Sequence, residues 1–232
     1  MKKIFSFTFV AALLLTLVSL PGATAANAQA GLVSSIFSRM QRAQQNLKTL
    51  SADISMEKYN AQLRDSDKYY GIVRYIPVGG RSAFVRLEWS KPQHEILVVA
   101  NGAYILYRPR LNMAYVGTTN SIHSQKDSDV LALMNMSAGQ LRTKFGEPQD
   151  VREETLWGGV WTQHMRVTPK GAASYKYIEV WIDKEGMPVQ TKMVEKNDDA
   201  TTVRLTNVAK NQTIPMDQFT LKLDSSVKRV KG

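Results

Sequence analysis

The chain has no cysteine. That absence excludes a disulfide framework, a thiolate nucleophile and thiolate metal ligands. Histidine is scarce too: His94, His123 and His164 are the whole complement, and they stand far apart. Nothing matches a metal-ligand spacing or an HExxH helix. There is no G-x-S-x-G elbow, no P-loop and no GxGxxG following a strand. Acidic pairs such as Glu153-Glu154 and Asp198-Asp199 read as solvated charge, and Gly79-Gly80 and Gly158-Gly159 read as turns. Neither catalysis nor a metal or cofactor is therefore expected. Long apolar runs are also missing, save one at the N-terminus. Acids are outnumbered, with 20 Asp and Glu against 30 Lys and Arg.

The one apolar run is "IFSFTFVAALLLTLVSL". It follows Lys2 and Lys3 and precedes Pro21-Gly22 and two A-x-A sites, Ala23-Thr24-Ala25 and Ala28-Gln29-Ala30. This is the pattern of a cleaved secretory leader. The expected division is a signal peptide over residues 1–30 and one domain over 31–232, placed in a bacterial periplasm or outside the cell. No cysteine follows either site, so the mature N-terminus carries no lipid. Removing the two leader lysines lowers the formal charge from +10 to +8. The basic residues are scattered and no nucleic-acid motif appears. A nucleic-acid partner is not expected, whereas anionic membrane surfaces suit the charge.

Hydrophobic periodicity organises the rest. Apolar residues from Leu32 to Leu50 recur at helical spacing, which predicts an amphipathic helix over 32–50 laid on a sheet. From Ala52 onward the period is two, which predicts an antiparallel meander of about ten strands in all. The segments 52–64 and 68–77 are predicted strands joined by a turn at 65–67. A helix capped by Asp127 or Ser128 and a second capped by Ser137 interrupt the sheet. Strands resume at 153–167, 174–183, 188–197, 201–209 and 218–223.

The stretch "HEILVVANGAYILYRPR" carries the sharpest signal. Asn101-Gly102 specifies a two-residue hairpin, pairing Val98 with Ile105 and Ile96 with Tyr107. Closing a four-residue loop at 90–93 would pair Trp89 with His94, Leu87 with Ile96 and Val85 with Val98. One face of three strands would then hold Val85, Leu87, Trp89, Ile96, Val98, Ile105 and Tyr107. The helix at 32–50 is too short to cover so broad an apolar face. The second cover would be residues 129–136, "DVLALMNM", with Val130, Leu133, Met134 and Met136 as a soft lid. An apolar face under a methionine-bearing lid suggests a cavity for an apolar guest.

At these residues the chain resembles the LolA family of periplasmic carriers of outer-membrane lipoproteins. The resemblance rests on "VRLEW" at 85–89, then Pro92, then "ANGAYILYRPRLNMAYV". It continues in "VWIDKEGMPVQTKMVEKND" and "VRLTNVAKNQTIPMDQFTL". Arg86, Glu88, Asn101-Gly102, Tyr107, Pro109, Asn211, Ile214 and Phe219 match the family pattern, while Val85 and Leu87 stand where aromatics are common. The nearest match to the family's lid-latching arginine is Arg81. The resemblance implies an α+β fold, an antiparallel unclosed half β-barrel with α-helices over its concave apolar face. It further implies a monomer that binds acylated lipoproteins, with an inner-membrane release transporter and an outer-membrane acceptor as partners. A lipid- or lipoprotein-sensing module of an envelope regulatory pathway remains the alternative, since one fold serves several roles.

Overall fold

The computed structural model describes residues 22–79, 83–119 and 125–232. Helix α1 (Gly22–Asn46) leads into a meander of six strands: β1 (Leu50–Asn60), β2 (Asp65–Pro77), β3 (Ala83–Lys91), β4 (Glu95–Ala100), β5 (Ala103–Arg108) and β6 (Met113–Thr118). Helices α2 (Gln125–Met134) and α3 (Ala138–Lys144) follow. A second meander then runs through β7 (Gln149–Leu156), β8 (Val160–Val167), β9 (Tyr175–Asp183), β10 (Pro188–Glu195) and β11 (Ala200–Lys210). A 3-10 turn at Met216–Phe219 precedes the last strand, β12 (Lys228–Lys231).

The strands form one sheet of 12, in the order β12-β6-β5-β4-β3-β2-β1-β11-β10-β9-β8-β7. Pairing of β1 with β11 joins the two meanders. All neighbours are antiparallel except β12, which runs parallel to β6. The end strands β7 and β12 do not pair with each other, so the barrel is unclosed, as the resemblance implied. Both end strands carry charged side chains, the usual guard against edge-to-edge pairing.

Four expectations about local structure need correction. The single strand expected at 153–167 is the β7–β8 hairpin, turning at 157–159. The first helix stops at Asn46, and Leu50 opens β1 instead. Asn211 ends the helix: its side-chain amide donates to the Asn46 carbonyl (3.2 Å) and accepts from the Lys48 N–H (2.7 Å). The turn after β1 falls at 61–64, not 65–67. Arg64 there takes a left-handed φ of 53°, and the Asn60 side chain accepts from the Leu63 N–H. The expected strand at 218–223 is absent. Phe219 belongs to a 3-10 turn and is buried, and the strand lies further on, at Lys228–Lys231.

The largest correction is register. The Asn101-Gly102 hairpin pairs as expected, Val98 with Ile105 and Ile96 with Tyr107, and both turn residues take positive φ. The loop before it, however, holds residues 90–94, so Trp89 pairs with Glu95, Leu87 with Leu97 and Val85 with Val99. One extra loop residue sends every side chain of β4 and β5 to the other face. Ile96, Val98, Ile105 and Tyr107 therefore lie on the convex side, away from Val85, Leu87 and Trp89.

Strands β3 to β5 are apolar on both faces. On the concave side Val85, Leu87, Trp89, Leu97, Val99, Tyr104 and Leu106 belong to the same buried cluster as Val130, Leu133 and Met134 of α2. On the convex side Ile96 and Val98 pack with Phe219, flanked by Ile76, Phe84, Tyr107, Ile214 and Leu221. The C-terminal segment thus straps the back of the sheet. Arg86 fastens it by donating to the Gln218 carbonyl (3.3 Å) while also pairing with Glu88 (2.9 Å). Burial would raise the Glu88 carboxyl, but hydrogen bonds from Arg86 and His94 outweigh it and hold the group below its ordinary value. The concave side of the second meander is covered differently: Val33, Ile36, Phe37 and Met40 of α1, with Ala138 and Leu141 of α3, pack on Met165, Val167, Val180 and Ile182. So α1 does not cover the three-strand face, contrary to expectation; α2 packs nearest β10 and β11 and meets that face at Trp89 through Asp127.

Candidate functional site: a cavity between two helical covers

Where the covers meet, they leave a cavity of about 750 Å³. Its walls come from the C-terminal end of α1, the start of α3, the connection from α2 to α3, and the rim of β2 and β10. The volume falls within the range of about 300–1,000 Å³ usual for small-molecule sites. Four of the chain's ten methionines, Met40, Met134, Met136 and Met187, line it. Thioether side chains on flexible stems reshape easily around an apolar guest. A second gap of about 60 Å³ lies under the other flank of α2, between Leu133 and Met136 and the sheet residues Ile178, Met193 and Val203.

One glycine sets the floor of this cavity. Gly186 sits in the β9–β10 turn with φ +96°, and a Cβ there would lie 2.4 Å from the Arg39 carbonyl group. The turn therefore rests directly on the backbone of α1. Asp183 holds the turn, its carboxylate accepting from the N–H groups of Glu185 (2.9 Å) and Met187 (2.8 Å). Arg39 adds a side-chain bond to Gln163 and a longer one to the Lys184 carbonyl (3.5 Å).

Helix α2 is held by polar contacts as well as apolar ones. The buried Trp89 indole N–H donates to the Asp127 carboxylate at 2.9 Å, and both residues are 0% exposed. The Tyr75 hydroxyl donates to the Asn135 side chain at 3.3 Å, and Lys58 lies 3.8 Å from Asp129. Burial pushes the Tyr75 phenol above its ordinary value. The edge of Tyr69 packs on Trp89, with ring centres 5.9 Å apart. Asp127 was expected as a helix cap. It sits instead inside the first turn of α2, its carboxylate turned down into the sheet.

The structure brings some predicted site residues together and separates others. Val85, Leu87 and Trp89 share one buried cluster with Val130, Leu133 and Met134, and Trp89 bonds directly to α2 through Asp127. Met136 lies past the end of α2, in the link to α3, and packs partly on the α1 side. Ile96, Val98, Ile105 and Tyr107 face the strap instead. Arg81 lies outside the described residues. Sequence reasoning missed Tyr75, Asn135, Asp127 and Met187. Met187 alone left a readable signal, a large apolar residue between Gly186 and Pro188 in an otherwise polar turn. Ser137 does cap α3, its hydroxyl accepting from the Gln140 N–H at 3.1 Å.

A second cluster, also unforeseen, lies on β7–β9. Donor atoms of Asp150, His164 and Glu179 come within 4.8 Å of one another, a grouping that could ligate a cation. His164 is fully buried; its Nδ1 lies 3.0 Å from the Asp150 carbonyl, its Nε2 3.8 Å from Glu179, and Trp181 packs on its ring. The carboxylates already have cationic partners. Arg152 bonds to Asp150, and Arg166 to Glu179 at 2.9 Å. Hydrogen bonding from Arg152 keeps the Asp150 carboxyl low, and bonding to Glu179 keeps Arg166 high. Arg152 also bonds to Glu154 (2.8 Å), so two guanidinium groups are shared among three carboxylates in one ion network.

Fold and site together define a half-barrel whose concave apolar face is closed by helices around a methionine-lined cavity. A family model described as "Outer membrane lipoprotein carrier protein LolA" matches residues 45–222. The chain belongs to the LolA family. No curated protein matches it in sequence. Among solved structures, it is similar to an uncharacterized conserved protein from Thermus thermophilus, at 12% identity and TM-score 0.54, covering 87% of this chain and 99% of that one. It is also similar to the lipoprotein LppX of Mycobacterium tuberculosis, at 12% identity and TM-score 0.50, covering 81% of this chain and 99% of that one. A third likeness is to MucB in the Pseudomonas aeruginosa MucA/MucB complex, at 14% identity and TM-score 0.50, covering 82% of this chain but 61% of that one. At these identities the likeness concerns the fold.

Proposed function

We propose that the protein is a soluble periplasmic carrier that binds the acyl chains of lipoproteins beneath α2 and delivers them from inner to outer membrane. The observation that carries the reading is the methionine-lined cavity of about 750 Å³ opening beside α2, a short helix held by both apolar and polar contacts. Membership of the family supports it. So does the physics of acyl transfer. Burial of an acyl chain gains about 0.8 kcal/mol per CH₂, so a 16-carbon chain leaving water gains on the order of 12 kcal/mol. The carrier needs few specific contacts to hold such a guest. Part of that gain opposes the lifting of α2 and the ordering of the guest, which keeps release possible. The function needs binding and release, and no catalytic step.

Targeting fits the same reading. The leader would be removed after Ala25 or Ala30. Among the residues of α1 whose side chains are described, burial begins at Val33, and a cut after Ala30 removes Gln29, which donates to the Pro148 carbonyl (3.5 Å). No described helix is long and apolar enough to cross a membrane.

The test is a release assay from spheroplasts. Inner-membrane lipoproteins should enter the soluble fraction only when the protein is added, and should elute with it as a complex. Binding of free lipid without any lipoprotein release would sink the carrier reading. It would favour instead a lipid-sensing module that acts through a partner protein, the alternative to which the likeness to MucB lends support.

A further inference from the structure

Among its described residues, the mouth of the cavity is polar but uncharged. Gln44 and Gln45 of α1, Asn135 and Ser137 of the α2–α3 link, and Gln140 and Thr143 of α3 line it, and none of its described lining residues carries a charge. That is unusual in a chain with a formal charge of +10. Neither α1 nor α3 contains an acid. Of the four basic residues of these helices, Arg39 bonds to Gln163 and Arg142 lies over the Phe37 ring at 5.0 Å, while Arg42 and Lys144 are exposed and do not line the cavity. Three of the six polar groups are partly spent inside the fold. Ser137 caps α3, Thr143 donates to the Gly139 carbonyl, and Asn135 accepts from Tyr75. The glutamines project their amides at the opening, Gln44 and Gln45 from exposed positions.

We propose that this ring of carboxamides selects guests by the head to which the acyl chain is attached, favouring uncharged ester, hydroxyl and amide heads over carboxylate, phosphate or ammonium heads. The inference rests on the acyl-binding reading and deepens it. The apolar gain from a given chain is the same whatever its head, so the chain cannot discriminate. The head can. A carboxamide both donates and accepts, so it satisfies esters, hydroxyls and amides in either sense. A charged head drawn to the same place loses part of its hydration and meets no opposite charge to compensate. Acyl chains borne on a glyceryl group and on an amide-capped peptide N-terminus meet the condition; free fatty acids and anionic phospholipids do not.

The experiment uses three ligands with one chain length: monopalmitoylglycerol, palmitate and hexadecylamine. Each displaces the uncharged fluorescent probe N-phenyl-1-naphthylamine from the purified protein at pH 8. The expected result is that monopalmitoylglycerol binds about tenfold more tightly than either charged ligand, the scale set by an uncompensated, partly desolvated charge. Gln45→Lys should then recover palmitate binding and leave hexadecylamine weak, and Gln45→Glu should do the reverse. Gln45 is exposed on the outside of α1, so both variants fold. Equal binding of the three ligands, or no reversal in the two variants, overturns the selection while leaving the acyl-binding reading intact. Failure of all three to displace the probe overturns both.

Discussion

Two helical covers of unequal length lie on one sheet. Helix α1 runs for 25 residues and buries Val33, Ile36, Phe37 and Met40, with Arg39 adding bonds to Gln163 and the Lys184 carbonyl. Its backbone rests on Gly186, so no gap separates it from the β9–β10 turn. Helix α2 has 10 residues, and its fastenings include the buried Asp127–Trp89 bond, the Tyr75–Asn135 bond and the Lys58–Asp129 pair. Both helices bury apolar side chains, but α2 is the shorter, so less apolar surface opposes its lifting, and water can replace its polar contacts. On the carrier reading proposed above, α1 is the fixed cover and α2 the gate, and the cavity lies on the boundary between them.

This contrast can be broken by substitution, most severely on the fixed side. Phe37→Ala should cost about 3–5 kcal/mol of global stability, as large-to-small changes in a closed core do. Urea unfolding followed by circular dichroism measures it, and a loss under about 1 kcal/mol would make α1 a second gate. Gly186→Ala should cost about 1–3 kcal/mol, through backbone strain at positive φ and through the clash with α1. Its unfolding midpoint should fall without any change in the shape of the transition.

On the gate side the effects should be local. Asp127→Ala removes a hydrogen bond to a charged group, worth about 1.5–3 kcal/mol. It should speed amide exchange in α2 by about tenfold to a hundredfold while α1 and strands β3 to β5 stay protected. Acyl-ligand affinity should rise, because opening costs less. The smallest effect concerns pH. The raised phenol of Tyr75 bonds to Asn135 only while protonated. That contribution is fully present below the ordinary tyrosine value of 10.0 and is lost as pH climbs through the higher folded value. Protection of the α2–α3 link should thus persist past about pH 10 and then drop. In Tyr75→Phe this drop should be absent.

Much of this architecture was legible in the sequence, with limits that are physical. Period-two alternation and the Asn101-Gly102 turn predicted the meander and its tightest hairpin correctly, because both signals are local. The loop at 90–94 was not legible to the residue. A miscount of one moved Ile96 and Val98 from the strap side to the lid side. Apolar residues on both faces of β4 gave no polar alternation to correct the error. The strap itself was invisible for the same reason, since a convex apolar face covered by a distant segment reads like any other core. The matching family residues Arg86, Ile214 and Phe219 serve mainly in that fastening, and Asn211 ends α1, which sequence resemblance alone could not say. Asp127 read as a cap because an acid near a helix start usually is one. Only the fold shows that Trp89 waits beneath it.

The central claim is that a guest enters by displacing α2. A chain without cysteine allows a clean lock. Leu133 and Val203 line the same narrow gap between α2 and β11, so cysteines at both positions, oxidised to a disulfide, should pin the gate shut. The oxidised protein should fail to bind a dipalmitoylated lipopeptide, and reduction should restore binding to the level of the parent chain. Undiminished binding with the disulfide formed would contradict the account, because the guest would then lie somewhere that α2 does not guard.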